Sequence, residues 1–424
     1  MTAPSGSRDD ATDAGTTRGR TPPGVSRTFA ALSVPGFANL WASGWIWNIT
    51  RWMCLFLGSY LVNERTGSPL LVQLIGASFF FPMFVGGVIG GVISDRLDRV
   101  RVIMTSLASL AVLAIVMSVI VATGNLATWM LYPFILAVGI GGVIDFTSRR
   151  TLIYEVVGPQ RATNALALES MALSGGNMFG ALLGGAIIQY LGIGATFLIV
   201  GIAYCGAFLL MIAARIAPRA PAPPSPTSAI ADLRAGFSLL GTNAPLVSIL
   251  AVTVIFNLFY FAFVPLVPVF AEQLEVGAFL AGLLASAPGT GMLLGTLLVA
   301  SSTPAHRGKV FVAGTVLAFA GLFLFAAAPW YILALGIIFA AGIGQAGFAT
   351  MQAVLTMDAA DDETRGRAMG LLSMAIGSLP IGMLILGGSA AMLGPATAVM
   401  VSCIVGLAAM ALVVRWRPES LKMR

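Results

Sequence analysis

The chain has 424 residues, 58% hydrophobic and 9% charged, with a mean hydropathy of +0.93; a soluble domain normally carries about a quarter charged residues. That composition excludes a soluble globular protein, and the net charge of +6 has to be read as membrane orientation before it is read as affinity for nucleic acid. Cys54, Cys205 and Cys403 stand singly in apolar runs with no paired spacing, which argues against a disulfide framework or a metal site and leaves them as packing residues.

Residues 1–35 are rich in Ser, Thr, Gly, Pro and charge and hold no apolar stretch of the kind a signal peptide needs; they read as a disordered cytoplasmic tail. A membrane-spanning helix uses roughly 20 residues. Apolar segments of that length are predicted at 38–62, 69–93, 102–123, 127–148, 164–188 and 195–214, a six-helix bundle over 36–214. Residues 215–243, with their Pro-rich PRAPAPPSPTSA, read as a cytoplasmic linker carrying a short surface helix around Ala229 to Leu240. Six more spans are predicted at 244–271, 278–300, 310–328, 331–355, 367–388 and 396–414, a second bundle over 244–414, with 415–424 as a cytoplasmic tail. The expected fold is all-α and integral to the membrane: twelve helices in two six-helix repeats.

Orientation follows from counting. With the N-terminus inside, the inner segments hold Arg96, Arg99, Arg101, Arg149, Arg150, Arg161, Arg215, Arg219, Arg234, Arg307, Lys309, Arg365, Arg367 and the basic residues of both tails, while the outer loops hold only Arg65. An even number of spans puts both termini in the cytoplasm of a plasma (inner) membrane protein. The halves echo one another: Gly87-x-x-x-Gly91 precedes one basic loop and Gly291-x-x-x-Gly295 another, and Gly184-Gly185 matches Gly387-Gly388. The offset is close to half the chain, as two repeats flanking a substrate site require.

The loop after the second span reads Gly91-Val-Ile-Ser-Asp95-Arg96-Leu97-Asp98-Arg99-Val100-Arg101. It resembles the loop 2–3 signature of the major facilitator superfamily, with Asp98 in place of the second Gly. A carboxylate and a guanidinium at a helix end can bridge to a neighbouring terminus and lock one arrangement of a bundle. The resemblance implies that Gly91, Asp95, Arg96 and Arg99 form a gate, joined by Asp145 as a partner of Arg99. In the fifth span, Gly176-x-x-x-Gly180-Ala181-x-x-Gly184-Gly185 resembles the glycine motif of proton-coupled drug exporters in the same superfamily, with Ala181 in place of Pro. Such spacing lets another backbone approach one helical face closely. Segments Arg149–Leu166 and Asp361–Gly370 and the turn Thr66-Gly-Ser-Pro69 resemble a bacterial exporter branch that includes enterobactin-exporter-like and macrolide-efflux-like proteins.

Ionisable residues inside a membrane are costly and are functional candidates. Arg51 falls about 13 residues into the first span, near the midplane at about 1.5 Å per residue, where snorkelling reaches neither interface. Asp145 and Glu169 are expected near the cytoplasmic ends of their spans and are the proton-coupling candidates; Asp145 also has a structural partner in Arg149 at i+4, and Glu169 has the alternative reading of a solvated helix-start residue. Trp41, Trp45, Asn48 and Trp52 form one stripe beside Arg51. Trp45, Asn48, Arg51, Trp52, Asn257, Tyr260, Phe261, Gln345 and Gln352 are therefore the predicted substrate-cavity residues, an aromatic wall with a few amides that suits a bulky amphipathic molecule. Aromatic stripes are more often packing or interface belts than sites. Pro265 and Pro268 are expected to bend the seventh span.

The only histidine, His306, lies on a basic loop, and the chain has no H-E-x-x-H, no paired intramembrane acids and no P-loop. No enzyme, metal or cofactor is expected. The reading is a monomeric secondary exporter of a drug, siderophore or secondary metabolite, exchanging cargo for protons across the bilayer. An uncoupled facilitator or flippase of the same fold, and a non-transporting receptor or assembly factor, are the alternatives.

Overall fold

In the computed structural model, residues 29–96, 98–217, 237–241, 243–302, 306–361 and 364–416 are described, without the side chains of 86–96 and 302. Helices α1 (Phe37–Thr66), α2 (Pro69–Arg96), α3 (Arg99–Ala122), α4 (Leu131–Val157) and α5 (Ala162–Ala213) form the first half. The second half contains α6 (Ala244–Phe259), α7 (Val267–Gln273), α8 (Ala278–Ser302), α9 (Arg307–Ala326), α10 (Tyr331–Asp358), α11 (Arg365–Ile376), α12 (Leu379–Leu393) and α13 (Pro395–Trp416).

Among the described residues nine helices are long and apolar enough to cross a membrane. One of them, α5, has 52 residues and would be about 78 Å long if straight, against a hydrocarbon core of about 30 Å. Gly192 breaks it with φ 82° and ψ 172°, a backbone that favours glycine. The proline pair acts as expected: α6 gives way to a 3-10 segment at Phe261–Leu266 containing Pro265, and α7 starts beside Pro268. Large apolar side chains such as Val112, Ile202, Leu297, Ile332 and Ile404 remain exposed on the outside, a surface suited to lipid rather than water.

Several boundaries differ from the sequence expectation. Packing begins before residue 36: Ala31 is fully buried and its amide donates to Asn164 Oδ1 at 2.9 Å, so the end of the expected tail is docked. Residues 1–28, 218–236 and 417–424, holding most of the expected tails and linker, lie outside the described residues. Helix α4 continues nine residues past its predicted end at 148, where Arg149 finds partners inside the bundle in Asp145 and the Leu40 carbonyl. The departure from the superfamily loop has a local explanation as well. Asp98 caps α3, its Oδ1 accepting from the amides of Val100 and Arg101 at 3.0 and 3.3 Å; a carboxylate at a helix start satisfies orphan N–H groups and complements the dipole.

The glycine motif does two jobs. A Cβ on Gly176 would come within 2.5 Å of Asn48 Cβ, and one on Gly180 within 2.5 Å of Trp52 Cβ, while Gly184 faces Met53 and Phe56. Those three glycines seat α5 against α1 inside the first half. Gly185 points elsewhere: a Cβ there would lie 2.3 Å from the Ala278 carbonyl oxygen, and one on Gly282 2.5 Å from that of Ala181, so α5 and α8 cross with almost no gap.

Candidate functional site

Two hydrogen bonds join the halves at one end of the bundle. We call the end where α3, α9 and α11 begin, at Arg99, Arg307 and Arg365, the basic end. At the opposite end Asn63 Nδ2 donates to Glu272 Oε2 at 2.6 Å, Gln73 Nε2 donates to the Ala262 carbonyl at 2.8 Å, and Gly76 rests on Pro265 and Met383. Together with the Gly185–Gly282 crossing, these contacts seal that end.

On the basic side of the seal lies a cavity of about 520 Å³ lined by both halves. Its wall is mostly apolar and aromatic, with the amides of Asn177, Asn257 and Gln345 set into it. Residues 209 apart play matching parts. Asn48 Nδ2 donates to the carbonyl of Gly44 and Asn257 Nδ2 to that of Thr253, both at 2.9 Å; Arg51 and Tyr260 both line the cavity; and Asn63 and Glu272 bond to each other.

Beside the cavity is a buried charge cluster. Asp145 accepts from Arg149 Nε at 3.0 and 2.9 Å and from Nη2 at 2.6 Å, and Arg149 Nη1 donates to the Leu40 carbonyl at 2.8 Å. Arg149 is 1% exposed. Glu169 is buried too, and its Oε2 has no hydrogen-bond partner; Gly44 is what makes room between it and Arg149. Arg51 joins these three residues in lining a small neighbouring pocket. Its guanidinium lies over the Phe79 ring, 4.6 Å from the centroid, and its Nε is buried without an acceptor.

Six of the predicted cavity residues, Arg51, Trp52, Asn257, Tyr260, Phe261 and Gln345, line the cavity, and Trp45, Asn48 and Gln352 do not. Trp45 is spent on packing: a Cβ on Gly175 would meet its ring at 2.2 Å. Asn48 lies against Gly176, and Gln352 Nε2 donates to Thr253 Oγ1 at 2.9 Å. The tryptophan stripe is thus largely the counterpart of the glycine motif. Asn177, an amide inside that motif, was the polar signal the sequence offered for a further wall residue; Phe80, Met83 and Phe146 also line the cavity, and nothing in their local sequence sets them apart from core.

The acids required two corrections. Asp145 is twelve residues before the end of α4, about 18 Å along the axis, and Glu169 is seven residues into α5, about 10 Å. Neither sits at a helix end, and both line the small pocket that Arg51 also lines. The expected Asp145–Arg99 contact is also absent: Arg99 Nη1 bonds Glu155 Oε1 at 2.5 Å, because Glu155 and not Asp145 is level with the start of α3. The second half repeats the pairing, with Arg307 Nη1 on Asp358 Oδ2 at 2.7 Å. The side chains of Gly91, Asp95 and Arg96 lie outside those described.

Comparison with known proteins adds the family context. The profile of a family described as transmembrane secretion effector matches residues 26–423. The chain is 27% identical to the enterobactin exporter EntS of Salmonella typhi over 338 residues, 78% of this chain and 79% of that protein. Among solved structures, a bacterial homologue of the human lysosomal transporter Spinster superposes with a TM-score of 0.71 at 16% identity, covering 94% of this chain and 99% of the other. A POT family transporter gives 0.73 at 12% identity, covering 91% and 96%. At those identities the structures speak to fold alone.

Proposed function

The chain belongs to the transmembrane secretion effector family of the major facilitator superfamily and is a membrane transporter, not an enzyme, and from that premise we propose that it exports a small amphipathic molecule by alternating access. The observation that carries this reading is the cavity of about 520 Å³ lined by both halves and closed on one side by their Asn63–Glu272 and Gln73–Ala262 contacts. This reading takes the chain to cross twelve times, counting α5 twice at its break at Gly192 and adding α1 and α2 to the nine described helices that are long and apolar enough to cross. The halves, 36–214 and 244–414, act as two repeats related by the 209-residue offset. The basic end is cytoplasmic, as are both termini, and the cavity shown is the cytoplasm-facing one. The protein works as a monomer, since the cavity is completed by one chain.

The cargo is a drug, siderophore or secondary metabolite; the relationship to enterobactin exporters places siderophores first for testing. Proton antiport at Glu169 supplies the energy: a buried carboxyl with an unbonded oxygen next to the Asp145–Arg149 pair is suited to take up and release a proton as the bundle rocks. Glu169→Gln keeps the shape and removes the exchangeable proton. In inverted vesicles, a strain-retained siderophore is expected to accumulate in response to a pH gradient with wild-type protein and to ignore that gradient with Glu169→Gln. Wild-type uptake that is unaffected by collapsing both pH gradient and potential would establish the uncoupled facilitator instead.

The Asn63–Glu272 bond is the outer pin. Glu272→Ala removes the partner of a buried amide whose Oδ1 is already unbonded. A bond of this kind contributes about 1 kcal/mol, so the outward-open population should rise about fivefold. Alkylation of Ala262→Cys, a position fully buried under the seal, by a membrane-impermeant maleimide reads that shift; an unchanged rate would remove Glu272 from the gate.

A further inference from the structure

The cavity wall carries one charged side chain, and that side chain has no hydrogen-bond or ion-pair partner among the described residues. Arg51 makes no ion pair, its Nε is buried without an acceptor, and Phe79 and Gly142 fix the plane of its guanidinium: a Cβ on Gly142 would come within 2.8 Å of Nε. The nearby acids are otherwise disposed. Both oxygens of Asp145 are occupied by Arg149, and Glu169 makes no ion pair with Arg51 and does not reach the main cavity wall. The same cavity wall carries aromatic rings, Trp52, Phe261 and Phe146, and neutral amides.

Resting on the export reading, we propose that Arg51 is the recognition group for cargo and that the cargo is an aromatic molecule bearing an anionic oxygen group: a carboxylate, sulfonate or phenolate. A guanidinium held in an apolar wall with free donors lacks the compensation that buried charges require; an anionic oxygen group supplies it, and a carboxylate does so in the planar two-oxygen geometry that the fork accepts. The aromatic wall takes the rings of the same molecule. A cationic cargo would meet the opposite situation, a fixed positive charge with no carboxylate on the wall to offset it. The phenyl face of Phe79 orients the guanidinium without neutralising it, because a cation–π contact leaves the in-plane N–H donors free.

The test uses full-length protein and two dyes built on one xanthene ring, anionic fluorescein and cationic rhodamine 6G, with binding read by equilibrium dialysis and flux read in proteoliposomes. Fluorescein is expected to bind more tightly than rhodamine 6G. Arg51→Gln should weaken fluorescein at least tenfold and leave rhodamine 6G unchanged or tighter, and Arg51→Lys, which keeps the charge and loses the fork, should fall between. Arg51→Lys also preserves the test if the Gln variant is not monodisperse. Fluorescein binding equal in wild type and Arg51→Gln, equal weakening of both dyes, or no fluorescein binding by the wild type overturns the inference. Flux judges the export reading separately: charge-selective binding with no flux of either dye would strike export and leave Arg51 as an anion site, whereas rhodamine 6G flux without anion preference would do the reverse.

Discussion

Replacing Arg149 by Met is expected to destabilise the folded protein by about 3–5 kcal/mol, the cost of removing one partner of a buried ion pair. Arg149 is 1% exposed; it holds Asp145 through three donor contacts and ties α4 to α1 through the Leu40 carbonyl. Without it, Asp145 is a buried acid with no donor. The double variant Arg149→Met/Asp145→Leu removes both charges and should recover most of the loss, since apolar replacement of a whole pair is often neutral. Thermal unfolding in detergent, read by size-exclusion recovery after heating, compares the three proteins. A single variant that survives to the wild-type temperature would show that the pair does not anchor the first half. A double variant that folds but does not transport would assign the pair to the transport cycle as well.

Gly185→Val is expected to shift the transporter toward its outward-open arrangement by about 1–3 kcal/mol, the usual cost of overpacking, or about 5- to 150-fold in population. The added Cβ would stand 2.3 Å from a backbone oxygen of α8, and backbone cannot yield as a side-chain tip can. Because that crossing lies between the halves, the way to relieve the clash is to part them. Gly184→Ala, one residue away, is the control: its Cβ meets Met53 Cγ at 3.0 Å within the first half, and a flexible thioether side chain adapts. Maleimide labelling of Ala262→Cys should therefore accelerate with Gly185→Val and stay near wild type with Gly184→Ala. Equal labelling in both would place the seal elsewhere than the α5–α8 crossing.

Much of this protein was determined by sequence alone. Hydrophobic runs of spanning length separated by Gly, Pro and charge can only be satisfied by helices in lipid, because an unpaired backbone group there is too costly, and the one-sided distribution of Arg and Lys is the basis of the proposed orientation. The DR-containing loop and the glycine motif carried the family. Arg51, Trp52, Asn257, Tyr260, Phe261 and Gln345 were legible as wall residues because a polar or amphipathic side chain deep in an apolar run has few places to go.

Tertiary structure decided the partners, and local spacing could not. Trp45 and Trp52 stand on one stripe, yet Trp45 is consumed by Gly175 of α5 while Trp52 reaches the cavity; periodicity fixes a face, and the neighbour's shape fixes its use. Gly184 and Gly185 are adjacent, but the roughly 100° turn between successive helix residues sends one to α1 and the other to the opposite half. Asp145 was assigned to Arg99 from a helix end placed nine residues too early, and the true end at Val157 puts Glu155 there instead. Helix ends inside a bundle depend on which side chains the neighbouring helices can satisfy, and that information is held by residues far apart in the chain.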